Sequence, residues 1–211
     1  MSDLNLGWVK QNFDENNFVF FDVGCMNMDD SVKVKQVMPK AKIYAFECSN
    51  EWLTNNLNRA VDHGIYYFHT AVCHIDGAIP FNPSLTQNGH HHPDSGSIFN
   101  VNPEDNHGKV YGEPYLAKSI RLETFCKTFN VIPDFVHVDV EGAELKVFQN
   151  IGDCKPKCVW AEVVTFDHYL TGTSRSEFDG LMQEIGYNKI FDGSRDSLYC
   201  LEGFNVTPYQ N

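Results

Sequence analysis

Residues 18–24 read Phe-Val-Phe-Phe-Asp-Val-Gly, a continuous apolar run that ends in an acid and a glycine. Runs of this length without polar alternation are typical of strands that are buried on both faces, as in a parallel sheet. A helix signal follows over residues 29–38, and the pattern then repeats. The second strand is predicted at 42–47, a helix at 49–64 and a third strand at Ile65–Val72. This alternation predicts an α/β fold with a mostly parallel sheet that is flanked by helices.

The middle of the chain breaks this alternation. Residues 75–121 contain ten glycines and prolines, which indicates loops and short antiparallel strands. The α/β pattern returns with strands predicted at 134–139 and 157–164, and a turn at 192–194 indicates a C-terminal antiparallel hairpin. We therefore expect a single domain over residues 1–211 with a loop-rich insertion at about 75–121.

The composition argues against several classes of partner. Acidic residues outnumber basic ones by 28 to 16, which gives a formal net charge of −12. Proteins that bind a phosphate backbone present a basic face, and no cluster of Lys and Arg would build one here, so we expect neither nucleic acid nor a membrane as partner. No apolar run approaches the ~20 residues that a membrane-spanning helix needs. Homo-oligomerisation, and membership of a longer protein, are left open by the sequence.

The cysteines and the first residues bear on the cellular compartment. There are seven cysteines, and no two of them have the C-x-x-C spacing of a zinc or redox motif. The start of the chain lacks the basic head and apolar core of a signal peptide. We expect a cytoplasmic protein with reduced thiols.

Carboxylates stand where four of the five predicted strands end. They are Asp22, Glu47, Asp139 and Glu162. Ligands of open α/β sheets bind beyond the carboxyl ends of the strands, and a glycine turn followed by an acid about 20 residues later is the arrangement that holds a ribose. Glu47 would accept hydrogen bonds from the two ribose hydroxyls. Each residue also has a structural explanation, since Gly24 suits a tight turn and Asp22 could cap a helix.

The turn after the first strand lacks the further glycines of a pyrophosphate-binding loop. Two acids, Asp29 and Asp30, stand at the start of the following helix, where they would repel a phosphate. A nucleoside ligand that carries no phosphate and has a positive charge fits this turn better. S-adenosylmethionine has this chemistry.

A set of motifs makes the chain recognisable. The most specific is Val-Asp-Val-Glu-Gly-Ala-Glu at residues 138–144. The others are Phe-Asp-Val-Gly at 21–24 with Asn27, Tyr-Ala-Phe-Glu at 44–47, Ala-Val at 71–72, Ser-Gly-Ser at 95–97 and Leu-Glu-Thr-Phe at 122–125. Over roughly residues 17–165, the chain resembles the FkbM-type methyltransferases, which are S-adenosylmethionine-dependent enzymes of the class I group with a single Rossmann-like domain.

The resemblance implies a set of site residues. The cofactor-binding residues, from the amino-acid end of the cofactor to its adenine, would be Asp22, Gly24, Asn27, Glu47, Cys48, Ser49, Ala71 and Val72. Asp139 and Glu141 would face the methyl group and the acceptor. Because the insertion at about 75–121 lies between the third and fourth predicted strands, we expect it to cover the acceptor site.

Two mechanisms remain open for the deprotonation of an acceptor hydroxyl. Asp139 or His137 could act as the base, although His137 is equally well explained as a buried structural histidine. Alternatively, Asp139, Glu141 and Glu162 could hold a divalent cation such as Mg²⁺, which would lower the pKa of the acceptor.

The resemblance implies an O-methyltransferase that acts on a small hydroxylated acceptor. A sugar or glycan is the favoured acceptor, because of the same resemblance and because the sequence argues against nucleic acid. One alternative is a nucleotide-cofactor oxidoreductase on a similar sheet. Another is a non-enzymatic metal- or ligand-binding module that uses residues 90–92, His-His-His, with Asp94 and His107 as further ligands.

Overall fold

The computed structural model describes residues 4–100, 108–163 and 171–209. Its strands are β1 (Val19–Val23), β2 (Lys42–Phe46), β3 (Tyr66–Phe68), β4 (Ala71–Val72), β5 (Gly77–Phe81), β6 (Ser84–Gln87), β7 (His90–His91), β8 (Lys109–Tyr111), β9 (Tyr115–Ile120), β10 (Phe135–Val138), β11 (Cys158–Glu162), β12 (Tyr187–Asp192) and β13 (Asp196–Leu201). Its α-helices are α1 (Leu6–Asn12), α2 (Asp29–Val37), α3 (Leu53–His63), α4 (Leu122–Phe129), α5 (Glu144–Phe148) and α6 (Arg175–Glu184).

Seven strands form the main sheet in the order β12-β13-β11-β10-β1-β2-β3. The pairs β1–β2, β2–β3, β1–β10 and β10–β11 are parallel, whereas β13 is antiparallel to β11 and to β12. The prediction of a mostly parallel sheet with a C-terminal antiparallel hairpin is thus confirmed. The chain leaves β1 towards β2 and β3 and returns on the other side at β10, so the strand order reverses between β1 and β10.

Both faces of the central strands are covered, which explains the continuous apolar runs. Phe20 and Phe135 face one core, where their rings stack with centroids 5.8 Å apart. Phe21 and Val136 face a second core on the opposite side of the sheet. Successive side chains of β10 point to opposite faces, and both faces are covered. All four residues of β10 are therefore buried, three as apolar residues and His137 with a hydrogen-bond partner.

The predicted third strand, Ile65–Val72, is wrong as a single element. The chain turns after β3, where the Thr70 amide donates to the Phe68 carbonyl at 2.9 Å. Beyond the turn, β4 leaves the main sheet and pairs with β9 in a separate three-stranded sheet, β4-β9-β5. The residues on both sides of the turn are good strand formers, so no change of composition marks the break.

The insertion is built of short strands and is joined to both sides of the main sheet. Besides β5 and β9, it contains the small sheet β7-β6-β8. The Tyr115 hydroxyl donates to the Cys48 carbonyl at 3.2 Å and accepts from the Asn50 amide at 3.0 Å, after β2. The Ser97 hydroxyl donates to the Glu141 carbonyl at 2.8 Å, after β10. The insertion therefore spans the carboxyl edge of the sheet and is anchored at both ends.

One pair of cysteines departs from the prediction of reduced thiols. Cys126 in α4 and Cys154, which follows α5, form a disulfide although they are 28 positions apart in the sequence. Both lie in the same core beneath the main sheet. Their spacing carries no signal because packing of distant segments, not proximity in sequence, brings them together.

Within the described parts of the chain, no helix is long and apolar enough to cross a membrane.

Candidate functional site

A cleft of about 710 Å³, counting space open to solvent, lies at the carboxyl ends of β1, β2 and β10. Clefts of roughly 300–1,000 Å³ are usual for small ligands and cofactors. The structure brings eight of the predicted site residues together in its wall: Gly24, Glu47, Cys48, Ser49, Ala71, Val72, Asp139 and Glu141. The cleft therefore coincides with the reversal of strand order, as the sequence predicts.

Glu47 is fixed at the end of β2 by two backbone amides. Its Oε2 accepts from the Met26 amide at 3.0 Å, and its Oε1 accepts from the Ser49 amide at 2.7 Å. Burial raises the pKa of this carboxyl to about 7, against the opposing effect of these hydrogen bonds. The carboxylate is thus held in one orientation and exchanges a proton near neutral pH.

The turn that follows β1 is supported from α3 by a residue that the sequence analysis missed. The fully buried Asn56 donates from Nδ2 to the Met26 carbonyl at 2.6 Å. Met26 has a positive φ of 45°, and its amide is one of the two donors to Glu47. Asn56 therefore positions the Glu47 carboxylate indirectly, through the backbone of the turn. Its place inside a helix carried no signal, because an asparagine there is usually solvated.

We expect Asn56→Ala to lower the free energy of unfolding by about 1–3 kcal/mol, because the fully buried Asn56 side chain is lost together with its hydrogen bond to the Met26 carbonyl. The affinity for S-adenosylhomocysteine should fall with it, since the turn that orients Glu47 is no longer held. Thermal unfolding and calorimetric titration would measure the two effects. Asn58→Ala, at an exposed position of the same helix, is the matched control and should change neither. If Asn56→Ala and Asn58→Ala have the same stability and the same affinity, the positioning role of Asn56 is contradicted.

Asp139 and Glu141 lie next to each other in the cleft, beyond the end of β10. Among the described residues, the Asp139 carboxylate has no hydrogen-bond partner, and its pKa is raised well above the ordinary value by burial and by the charges of Glu162 and Glu141. Glu141 has a positive φ of 51°, and its carboxylate is 3.8 Å from the Lys109 ammonium. The turn between them and α5 is held by the buried Glu144, whose Oε1 accepts from the Gly142 amide at 3.0 Å.

The predicted metal set does not form. Glu162 is paired with Arg195 and is absent from the wall of the cleft, so it does not join Asp139 and Glu141. In the parts of the chain that the structure describes, no group of three His, Cys, Asp or Glu side chains could hold a metal ion. The histidine loop likewise forms no such group. His91 lies 3.3 Å from Glu51, His92 lies 3.9 Å from Asp94, and His107 lies outside the described residues.

Three further predicted residues lie outside the cleft wall. His137 donates from Nδ1 to Asp22 Oδ1 at 2.8 Å, on the face of the sheet occupied by the core of Phe20 and Phe135. Burial opposes protonation of this imidazole, but the hydrogen bond and charge of Asp22 outweigh it and raise its pKa to about 9. Asp22 also accepts from the Ser31 hydroxyl at 2.6 Å. Asn27 accepts from the Asp29 amide at 3.0 Å and so supports the start of α2.

These contacts join β1, β10 and α2 beneath the cleft, and they favour the structural explanation of His137. The pair of Asp22 and His137 would fix the two strands that carry Gly24 and Asp139 rather than touch a ligand. Asn27 would act on the start of α2 in the same indirect way.

The insertion contributes wall residues that the sequence analysis did not single out as ligand contacts. They include Ile79, Phe81, Pro93, Ser97 and Ile98, and Trp52 joins them from the turn that precedes α3. Asp94, which the sequence suggests only as a metal ligand, lies in the wall as well. The charged residues of the wall are Glu47, Asp94, Asp139 and Glu141, and the described wall contains no Lys, Arg or His. Such a lining favours a cationic or neutral ligand over an anionic one.

The comparisons with known proteins agree with this geometry. A family model described as the methyltransferase FkbM domain matches residues 22–189. The chain belongs to the FkbM methyltransferase family. The matched region contains every residue of the predicted site and reaches into β12. A search of curated proteins finds no match to the chain.

Solved structures show the same fold as this family member. A putative rRNA methylase from Clostridium thermocellum has a TM-score of 0.54 and 7% identity over 96% of this chain and 94% of that chain. The fibrillarin pre-rRNA processing protein of Methanococcus jannaschii has a TM-score of 0.50 and 9% identity over 89% of this chain and 68% of that chain. At such identities the likeness establishes the fold alone. By its family, this FkbM protein is an S-adenosylmethionine-dependent methyltransferase.

Proposed function

We propose that this FkbM methyltransferase transfers a methyl group from S-adenosylmethionine to a hydroxyl oxygen of a small acceptor of the sugar or glycan class. The observation that carries the proposal is the arrangement of two carboxylates in one cleft. Glu47 is oriented by backbone amides, and Asp139 faces the same cleft without a hydrogen-bond partner among the described residues.

The wall of the cleft fits the charge of the cofactor. S-adenosylmethionine carries a sulfonium and an ammonium group and no phosphate, and the four charged wall residues are all acids. Nicotinamide and flavin dinucleotides carry a pyrophosphate, which the acids in the wall would repel. The charge of the site therefore speaks for a methyltransferase and against the oxidoreductase alternative.

When bound, the cofactor supplies a methyl group that is already activated by its positively charged sulfur. The protein has to align the acceptor oxygen and remove its proton. Asp139 is the residue to accept that proton, because it lies in the cleft at the end of β10 and its carboxylate is not engaged elsewhere in the described structure. The anchored insertion, which reaches over the cleft, would keep water away from the reacting groups.

Two features support a sugar acceptor. The acidic wall disfavours phosphorylated or otherwise anionic acceptors, including nucleic acids. Phe81, from the insertion, lines the cleft and offers apolar ring surface, on which the C–H faces of a sugar can pack. A neutral or amino sugar combines the two requirements.

The test of the cofactor site is the pH dependence of S-adenosylhomocysteine binding. The pKa of Glu47 is about 7 in the free protein, and the ionised carboxylate accepts stronger hydrogen bonds from the ribose hydroxyls than the protonated acid does, so binding releases a proton below that pH. The dissociation constant should fall by up to about tenfold per pH unit as the pH rises towards 7, and then level off. Calorimetric titration between pH 5.5 and 8.5 measures this.

Two variants make the test specific. Glu47→Gln should weaken binding by about tenfold or more at pH 8 and should abolish the pH dependence. Glu51→Gln, which removes an exposed carboxylate four residues later, should preserve both the affinity and the pH profile. Wild-type affinity in Glu47→Gln would refute the ribose assignment. A screen of acceptors would include neutral, amino and anionic saccharides and simple amines. Transfer of the methyl group only to nitrogen or carbon atoms would refute the hydroxyl acceptor.

A further inference from the structure

The three tryptophans of the chain differ in how their indole N–H groups are satisfied. Trp8 donates from Nε1 to the Thr207 carbonyl at 2.8 Å, and Trp160 donates to Asp196 Oδ1 at 3.1 Å. The Nε1 of Trp52 is buried and has no hydrogen-bond partner in the described structure. An indole N–H can only donate, and buried tryptophans normally find an acceptor. The missing acceptor of Trp52 is therefore a feature that needs an explanation.

The position of Trp52 indicates where that acceptor comes from. Trp52 closes the 3-10 turn Asn50–Trp52, which follows Glu47 by a few residues, and it lines the same cleft. The proposed methyl end of the cleft lies at Asp139, beyond β10, and β1 separates β10 from β2. Strands are spaced by about 4.8 Å, so β2 and β10 are roughly 10 Å apart. Trp52 thus belongs to the end of the cleft that holds the nucleoside.

The chemistry of the nucleoside matches this donor. Glu47 is the acceptor for the ribose hydroxyls, which leaves the base as the part of the nucleoside that still needs partners. Adenine presents three ring nitrogens, N1, N3 and N7, that accept hydrogen bonds and carry no charge. A neutral donor suits them, and no Lys, Arg or His stands in the described wall to take its place.

We propose that Trp52 donates a hydrogen bond from its indole N–H to a ring nitrogen of the bound adenine and is a specificity residue for the base. The inference rests on the proposed cofactor site and adds to it a direct donor. It also explains why the free protein tolerates a buried donor without a partner. A group that is reserved for a ligand stays unsatisfied until the ligand binds.

The experiment compares S-adenosylhomocysteine with its 1-deaza, 3-deaza and 7-deaza analogues, each of which replaces one ring nitrogen of adenine by C–H. Calorimetric titrations use the wild-type protein, Trp52→Phe and the control Trp8→Phe. Trp52→Phe keeps an aromatic ring and removes the N–H. Trp8→Phe removes an indole N–H that is satisfied within the protein, in a helix that does not line the cleft.

We expect Trp52→Phe to bind S-adenosylhomocysteine about five- to tenfold more weakly. One of the three analogues should lose affinity for the wild-type protein by the same factor and should bind Trp52→Phe with no further loss. The melting temperature of ligand-free Trp52→Phe should equal that of the wild type or exceed it, because no hydrogen bond is lost. Trp8→Phe should show the reverse, with a lower melting temperature and unchanged affinity.

Three results would overturn the inference. The first is wild-type affinity in Trp52→Phe. The second is an equal loss of affinity in that variant for all four ligands, which would indicate a role in ring packing alone. The third is an effect confined to the KM for the acceptor, which would place the N–H at the acceptor. A wild-type protein that fails to bind S-adenosylhomocysteine at all would instead refute the proposed function. The analogue series on the wild-type protein gives an answer even if a variant folds poorly.

Discussion

Replacement of Asp139 by Asn is expected to lower kcat by about 10²–10⁴-fold, the usual contribution of a positioned base. The amide cannot accept the proton of an acceptor hydroxyl, while it keeps the size of the carboxylate. The affinity for S-adenosylhomocysteine should stay within about threefold of the wild type, because the proposed ribose and base contacts lie at β2. Steady-state rates and calorimetric titration on the same preparation separate the two effects.

Glu141→Gln is the matched comparison for Asp139→Asn. Glu141 lines the cleft two residues further on, but its carboxylate faces the Lys109 ammonium at 3.8 Å. We expect a smaller loss of kcat in this variant. If Glu141→Gln shows the large loss of kcat and Asp139→Asn turns over normally, the base is Glu141 and the assignment of Asp139 is wrong. A large loss of cofactor affinity in Asp139→Asn would likewise contradict a role confined to the acceptor.

Gly24→Ala is expected to abolish measurable binding of S-adenosylhomocysteine and to destabilise the fold. A Cβ atom at this position would lie 1.8 Å from the Asp139 carbonyl oxygen, and Gly24 has a positive φ of 79°. The clash and the strained φ angle both involve main-chain atoms. β1 and β10 are paired up to Val23, the residue that precedes Gly24. The strands cannot separate without breaking this pairing, so the ends that carry Gly24 and Asp139 would have to distort. Thermal unfolding and calorimetry measure the two losses.

Gly64→Ala provides the control for backbone strain alone. Gly64 ends α3 with a positive φ of 64°, and an added Cβ would meet no atom within 4 Å. The cost of a left-handed alanine is about 1–2 kcal/mol, so this variant should lose some stability and bind normally. Similar binding defects in Gly24→Ala and Gly64→Ala would show that conformational strain, and not contact with the Asp139 backbone, explains the effect.

Much of the sheet could be predicted from the sequence because its strands are short, apolar and separated by clear helix signals. Glu47, Asp139 and Glu141 could be placed at one edge because parallel strands end on the same side of a sheet. His137 could not be placed so readily. Alternation along a strand puts it on the same face as Asp139, but β10 ends at Val138, and beyond that residue alternation no longer applies.

Other features have no local signature. The pairing of His137 with Asp22 depends on the register of β1 against β10, which sets these two residues side by side. Asn56 and Trp52 act through contacts with segments that are distant in sequence or with a ligand, and a pattern of residue types does not reveal such contacts. The turn at Thr70 lies between two stretches of equal strand propensity, so only the pairing of β4 with β9 shows it.

The exclusively acidic charges in the described cleft wall affect how a catalytic cycle ends. Methyl transfer removes the positive charge from sulfur, so the spent cofactor is one unit less cationic than the fresh one. The carboxyl groups of the wall that are ionised attract the fresh cofactor more strongly and hold the spent one less tightly. On the proposed function, the same electrostatics that recruit the substrate therefore promote product release and limit product inhibition.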